Sequence, residues 1–249
     1  MISKFEKKYK KLLQKCLNKG IETSNRTGVN TVKLFNQTFN INLNLGFPII
    51  TGKKIFFKKA LAEFKWIYNG RTDLDFLHKH NIFWWDDFLM DNNTLGKVYG
   101  YQIRNFNSVI DQVKYCIKEI NNNSRRAVIT LWNPSELKEQ ALPCCYTQFN
   151  FVKQNNKLNM TMHFRSSDMF LGLPYDIIVG ALFLIEISKA TNLQPNKLGI
   201  NLADAHIYTN QIREVKQYLK AVTYQLPKLK NNTLINYNSS KYIKTQITL

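Results

Sequence analysis

The sequence predicts an α+β chain folded as one domain. Apolar residues recur with helical spacing in some segments and alternate in others. The two kinds are mixed, without the regular strand–helix–strand beat of a doubly wound sheet. No long linker, low-complexity tract or internal repeat divides the 249 residues, a length that suits a single large domain, residues 1–249. Hydrophobic residues make up 44% and aromatics 13%, enough for a sizeable core and too many for a disordered chain.

Phe5, Tyr9, Leu12, Leu13 and Cys16 share one helical face and predict a helix over 3–19, stopped at Gly20. Residues 30–45 alternate in two runs, Val32 and Leu34, then Phe39, Ile41, Leu43 and Leu45, and read as strands. A helix over Lys54–Tyr68 closes at Asn69-Gly70, and a short one covers Asp73–His80. Another spans Val109–Ile120 and stops at the polar run Asn121–Ser124. Ala127–Trp132, Thr147–Val152 and Leu158–Arg165 read as strands. Tyr175–Ala190 is apolar nearly all round, the pattern of a buried helix. Leu198–Tyr208 reads as a strand, Gln211–Ala221 as a helix, and Tyr242–Leu249 as a short tail with apolar residues at its end.

Several classes are excluded. The longest uncharged apolar stretch, Ile177–Ile185, has nine residues, and a membrane helix needs about 20. The charged start, Met1 to Lys7, is unlike a signal peptide. Cys16, Cys116, Cys144 and Cys145 fit neither a zinc pattern nor a disulfide framework. A cytoplasmic, reducing compartment and no metal are expected. The net charge of +18 admits anionic partners. It also reflects composition, since 28 Lys stand against 7 Arg alongside 29 Asn, as an AT-rich genome would favour. With lysine filling the generic basic positions, the seven arginines (26, 71, 104, 125, 126, 165 and 213) mark places where a planar bidentate fork is required. A basic nucleic-acid-binding protein is the reading from another class, but the chain carries neither a base-stacking platform nor a recognition-helix motif.

Three segments are too specific for packing alone: Ala141-Leu142-Pro143-Cys144-Cys145-Tyr146, then Phe164-Arg165-Ser166-Ser167-Asp168-Met169-Phe170-Leu171-Gly172-Leu173-Pro174-Tyr175-Asp176, then Asp204-Ala205-His206-Ile207-Tyr208-Thr209-Asn210. With Asn25-Arg26-Thr27-Gly28, Gly46-Phe47-Pro48, Glu63-Phe64-Lys65-Trp66, Trp85-Asp86, Leu95-Gly96-Lys97-Val98-Tyr99-Gly100 and Ser124-Arg125-Arg126, the chain resembles the thymidylate synthase family over essentially its whole length.

The resemblance implies the family's fold, a mixed sheet packed by helices whose open face forms a homodimer interface. It implies one-carbon transfer from 5,10-methylenetetrahydrofolate to C5 of a pyrimidine nucleotide. A gapless match from Leu142 to Leu158 puts the nucleophile on Cys145 rather than Cys144. The chemistry needs such a residue, because C5 becomes nucleophilic only after a thiolate adds to C6; that favours a thiol of depressed pKa beside a cation, here Arg165. Arg26, Arg165 and Ser166 would hold the phosphate, with Arg125 and Arg126 reaching over from the second subunit. His206 and Tyr208 would hold the sugar hydroxyl. Glu63 would order water and relay protons. Lys53, Trp85, Asp168, Leu171 and Gly172 would contact folate, and the C-terminal tail would close over it.

Two departures bear on the substrate. The residue after the Leu-Gly-x-Pro-aromatic run is asparagine in thymidylate synthases and Asp176 here. A carboxamide matches the O4 acceptor and N3–H donor of uracil. Cytosine reverses that pattern. An ionised aspartate accepts from the cytosine amino group, and one that shares a proton with N3 satisfies both positions. Against O4 of uracil an ionised aspartate sets acceptor against acceptor. Aspartate here is what the deoxycytidylate hydroxymethylases of the superfamily carry. The residue after the nucleophile, histidine in thymidylate synthases, is Tyr146, another candidate for the catalytic set. Asn150, Phe88 and Ala203 replace the family's Gln, Trp and Gly. The expectation is therefore conversion of dCMP to 5-hydroxymethyl-dCMP, in a phage that marks its DNA. The alternatives are methylation of dCMP or synthesis of dTMP from dUMP. A catalytically dead paralogue conflicts with the intact set of Cys145, Arg165, His206, Tyr208 and Glu63.

Overall fold

Ser3 opens the first helix, α1 (Lys4–Lys19), by accepting a hydrogen bond from the Glu6 amide. The computed structural model describes residues 3–90, 94–245 and 248. After α1 come β1 (Ile21–Thr23), β2 (Thr31–Asn42), α2 (Phe57–Tyr68), α3 (Asp75–Lys79), α4 (Tyr99–Arg104) and α5 (Gln112–Asn121). Then follow β3 (Val128–Thr130), β4 (Tyr146–Gln154), β5 (Lys157–Asp168), α6 (Leu173–Ala190), β6 (Gln194–Tyr208), α7 (Ile212–Lys220) and the hairpin β7 (Lys228–Lys230) and β8 (Thr233–Ile235).

Six strands form one mixed sheet in the order β1-β2-β6-β5-β4-β3. All pairs are antiparallel except β5 with β6, which α6 joins as a crossover. Register sorts the side chains. Phe149, Met162, Ile200 and Phe39 lie in one row across the sheet, and Phe151, Met160, Leu198 and Ile41 in the next. These apolar rows face the core under α6, which comes so close that a Cβ on Gly180 would overlap the Met162 sulfur. The opposite face presents Thr130, Gln148, His163, Asn201 and Thr38 in one row, partly exposed. Beyond these rows the same face is covered by α1, whose Cys16 thiol donates to the Val32 carbonyl at 3.2 Å.

A buried carboxylate ties α1 to the rest. Glu6 accepts from the Thr51 amide (2.9 Å), the Thr51 hydroxyl, the Gly52 amide (2.7 Å) and the Tyr218 hydroxyl (2.7 Å). Nearby, the Tyr9 hydroxyl donates to the Met169 carbonyl. The turn after β5 is thus pinned from α1.

Departures from the sequence expectations have identifiable causes, some local and some distant. The two strand runs at 30–45 are one strand, kinked where Asn36 takes a left-handed φ of 47°, and Leu43–Leu45 turns into a 3-10 helix. The helix expected from Lys54 begins at Phe57. The Lys54 and Ile55 amides instead bond the Lys241 carbonyl (3.4 Å) and the Tyr237 hydroxyl (3.1 Å) of the C-terminal segment. The helix expected from Val109 begins at Gln112, because the Asp111 side chain caps it through the Lys114 amide. Strand β1, helix α4 and the β7–β8 hairpin carry too few periodic residues to be read from sequence. The β5-α6-β6 unit adds one βαβ step that the absence of a regular beat had obscured.

Candidate active site

The carboxyl ends of β5 and β6, the first turn of α6, α2 and the Cys145 loop enclose a cavity of about 580 Å³, within the usual range for small-ligand sites. The parallel register sets Ser166 beside Asp204 and Asp168 beside His206. On the other side of β6, Lys33 of β2 pairs with His206. Alternation then points Asp204, His206 and Tyr208 to the cavity face together.

Cys145 precedes β4 and lines the cavity, whereas Cys144 is fully buried in the core. The Cys145 amide donates to the Tyr99 hydroxyl at 2.9 Å. The Arg165 amide donates to the Cys145 carbonyl at 3.0 Å, and its guanidinium grips the Cys144 carbonyl (3.0 Å) and the Pro143 carbonyl (2.7 Å). The guanidinium also lies 4.0 Å from the Cys145 sulfur. The expected depression of the Cys145 pKa is not met. Burial raises it, Asp176 and Asp168 add to the rise, and Arg165 and the Tyr99 bond offset only part. Burial pushes Cys144 up to about 12.

Four carboxylates line the cavity, each held differently. Glu63 of α2 accepts two indole N–H groups, from Trp85 at 2.7 Å and Trp84 at 3.0 Å; burial still raises its pKa against both bonds. Asp168 accepts from the Phe170 and Leu171 amides (2.9 and 3.0 Å) and from the Gln211 amide group (2.8 Å). Asp176, in the first turn of α6, takes no side-chain hydrogen bond among the described residues and lines the cavity. Its pKa lies well above the ordinary carboxylate value, through burial first and then the nearby Glu63 and Asp168. Of the two forms considered from sequence, the one that carries a proton is favoured.

Asp204 bonds His206 Nδ1 at 2.9 Å and Lys33 at 3.2 Å. Burial alone would raise the Asp204 pKa, but these partners bring it below the ordinary value. The His206 and Tyr208 rings meet edge to face at 5.2 Å. Trp85 sits against Tyr99, Trp66 and Phe88, and Tyr146 is wedged among Tyr99, Phe149 and Phe164.

Of the residues singled out from sequence, Arg26, Glu63, Trp85, Cys145, Tyr146, Arg165, Ser166, Asp168, Leu171, Gly172, Asp176, His206 and Tyr208 line this one cavity. Lys53 does not. It is buried under the turn after β5, donates to the Phe170 carbonyl at 2.6 Å and lies 3.8 Å over the Phe170 ring, with its pKa brought down to about 8 by burial. Arg125 and Arg126 are exposed just before β3, outside the cavity. Of the tail, Tyr242, Thr245 and Thr248 line the cavity; Gln246, Ile247 and Leu249 lie outside the described residues. Sequence reasoning gave no role to Tyr99, Trp84, Lys33 and Lys59, which also line it. Only Tyr99 stood in a motif that could have flagged it.

The thymidylate synthase family model matches residues 7–248. The chain belongs to the thymidylate synthase family. Membership makes it a folate-dependent transferase of a one-carbon unit to C5 of a pyrimidine, in a family of homodimers. Among the described residues no helix is long and apolar enough to cross a membrane.

Two outcomes test the site itself. Iodoacetamide should alkylate Cys145 and spare Cys144, as read by peptide mass mapping; Cys145→Ala should abolish exchange of the C5 hydrogen, and Cys144→Ala should keep most of it. Preferential labelling of Cys144, or loss of exchange only in its variant, would reverse the assignment. The second concerns Asp176. A carboxyl whose folded pKa is raised costs stability as pH climbs from the unfolded value, about 3.9, through the folded one. Ligand-free Asp176→Asn should therefore melt above wild type at pH 8, with the gap closing towards pH 4. A wild type that is the more stable at pH 8 would mean the carboxylate is paired.

Proposed function

We propose that this member converts dCMP to 5-hydroxymethyl-dCMP, with 5,10-methylenetetrahydrofolate as the one-carbon donor. The observation that carries the reading is Asp176, a carboxyl at the cavity whose pKa is pushed well above the ordinary carboxylate value by burial, Glu63 and Asp168. A nucleophile that adds to C6 of cytosine drives an electron pair towards N3, so the addition needs a proton delivered there. A neutral Asp176 supplies that proton and accepts from the N4 amino group with its other oxygen. The asparagine of the dUMP-specific relatives has no proton to give in this way.

In this reading the Cys145 thiolate forms a bond to C6, the Asp176 proton passes to N3, and C5 becomes an enamine carbon. Methylenetetrahydrofolate supplies an electrophilic carbon to C5. Loss of the C5 proton and of tetrahydrofolate, with the N3 proton returned to Asp176, leaves an exocyclic methylene. Water held at Glu63 adds to that methylene, and the electrons expel the Cys145 thiolate from C6. No reductant is consumed, so the folate leaves as tetrahydrofolate. Arg26, Arg165 and Ser166 bind the phosphate, while His206 and Tyr208 bind the sugar hydroxyl. Trp85, Leu171, Gly172 and Asp168 form the folate wall, and the tail from Tyr242 covers it. Arg165 gives donors to the Pro143 and Cys144 carbonyls, and its remaining donors serve the phosphate.

The half-exposed polar face of the sheet serves as the homodimer contact, and Arg125 and Arg126 reach the partner's phosphate. Their exposure, away from the cavity of their own chain, fits that role.

Base choice is tested by turnover with dCMP and dUMP. Wild type should prefer dCMP, and Asp176→Asn should move the preference towards dUMP by at least about 100-fold in kcat/KM, the scale set by unpaired polar groups in a buried site. A wild type that prefers dUMP returns the protein to dTMP synthesis. The product is read in the same assay. Hydration yields tetrahydrofolate and a hydroxymethyl mass increment, whereas dihydrofolate formed in step with a methyl increment would establish methylation instead. Shared sites are tested by mixing inactive Arg126→Glu and Cys145→Ala chains. Hybrid dimers should regain part of the activity, since one of their two sites is intact, and no recovery after verified subunit exchange would place Arg126 elsewhere.

A further inference from the structure

We propose that Trp84 is a positioning residue that confines the acid–base chemistry of Glu63 to one oxygen, Oε2. Both indoles donate to the same atom. Trp85 Nε1 lies 2.7 Å and Trp84 Nε1 3.0 Å from Glu63 Oε1. A carboxylate oxygen has two in-plane lone pairs, and on Oε1 both are taken. Oε2 accepts no hydrogen bond from the described residues, although Glu63 itself lines the cavity. Any water or proton that Glu63 handles must therefore be handled at Oε2.

Trp84 is itself held in place. Its ring lies 5.7 Å from that of Tyr175, and Lys59 sits 5.8 Å over it. It belongs to the same turn as Trp85, so the two N–H groups approach Glu63 as a pair. The groups that face Glu63 are Asp176 and Tyr175 from α6, Tyr146 from β4 and Lys59 one helical turn earlier on α2. Burial disfavours an ionised Glu63, while the two N–H bonds favour it. Without Trp84 the carboxyl keeps one donor, regains a free lone pair on Oε1, and holds its proton to higher pH. Neither the sequence motif nor the match to Trp85 pointed to this second donor.

The inference rests on one-carbon transfer at C5 but not on which base is chosen. Its test is Trp84→Phe, which keeps the ring and removes the N–H, with Trp84→Gln as the variant that returns a donor. Carbon-13 NMR of the intact enzyme follows the Glu63 carboxyl, assigned by its loss in Glu63→Gln. In Trp84→Phe the Glu63 titration should move up by about one pH unit, the scale of one hydrogen bond to a charged group. The acid limb of kcat should move with it, and KM for the nucleotide should stay within about twofold. Trp84→Gln should restore both. An unmoved Glu63 titration in Trp84→Phe, equal displacement in both variants, or a raised KM with no change in the pH profile would overturn the proposal. If wild type turns over no pyrimidine nucleotide with methylenetetrahydrofolate, the proposed reaction fails, and the Glu63 titration still judges Trp84 on its own.

Discussion

The parallel ladder between β5 and β6 is the constraint on which the site depends. It sets Ser166 against Asp204 and Asp168 against His206, and β2 then brings Lys33 into the same row. A slip of one residue would turn Asp204, His206 and Tyr208 away from the cavity and the apolar rows out of the core. A parallel pair also requires a crossover, and that crossover is α6. Its first turn lies at the carboxyl ends of the two strands, the usual place for ligands in sheets with parallel neighbours. Asp176 thus reaches the cavity because of a topological requirement, and Gly180 lets the same helix settle onto the Met162 side of the sheet.

Around that cavity the chain gathers four carboxyl groups despite its net charge of +18, Asp204 being held by His206 and Lys33. What separates them is their donors. Asp168 has two backbone amides and a side-chain amide, and Glu63 has two indoles. Asp176 has no side-chain partner among the described residues, and burial, Glu63 and Asp168 push its pKa well above the ordinary carboxylate value. The same crowding opposes ionisation of Cys145, where Arg165 is outweighed by burial and by Asp176 and Asp168. In the proposed reaction a protonated Asp176 relieves part of that opposition, so an acid for cytosine N3 and an attacking thiolate are compatible in one small space.

Most long elements were legible because each carries its own period. The apolar run of Tyr175–Ala190 and the alternation of 198–208 survive in α6 and β6, which end where expected and begin two and four residues earlier. Other boundaries are set by a local cap, as Asp111 does for α5, or by distant partners. The start of α2 is fixed by Tyr237 and Lys241, some 180 residues away, and no local pattern encodes that. The site was legible through its motifs, and what escaped has the same origin. Lys53 resembles a folate contact of the family, yet the Phe170 ring and a carbonyl at 2.6 Å hold it inward. Trp84 was passed over because one of two adjacent tryptophans already had a role. That both indoles turn to one oxygen follows from the conformation of the 83–88 turn, not from residue type.

Tyr146 and Asp176 acquire a joint meaning in this light. The family's histidine after the nucleophile would bring a polar, ionisable ring to this wall. Tyr146 instead is buried, with its ring 4.5 Å from that of Tyr99 and 5.5 Å from that of Phe149. Its own pKa lies well above the ordinary tyrosine value, through burial first and then Asp176 and Glu63, so it stays neutral. A neutral aromatic wall offers Asp176 no cation and little solvent, and both omissions favour the protonated acid. An aspartate at this position beside a histidine could pair with an imidazolium and ionise, and would then be an acceptor alone. The two substitutions therefore act in one direction: residue 176 supplies a carboxyl, and residue 146 helps to keep a proton on it.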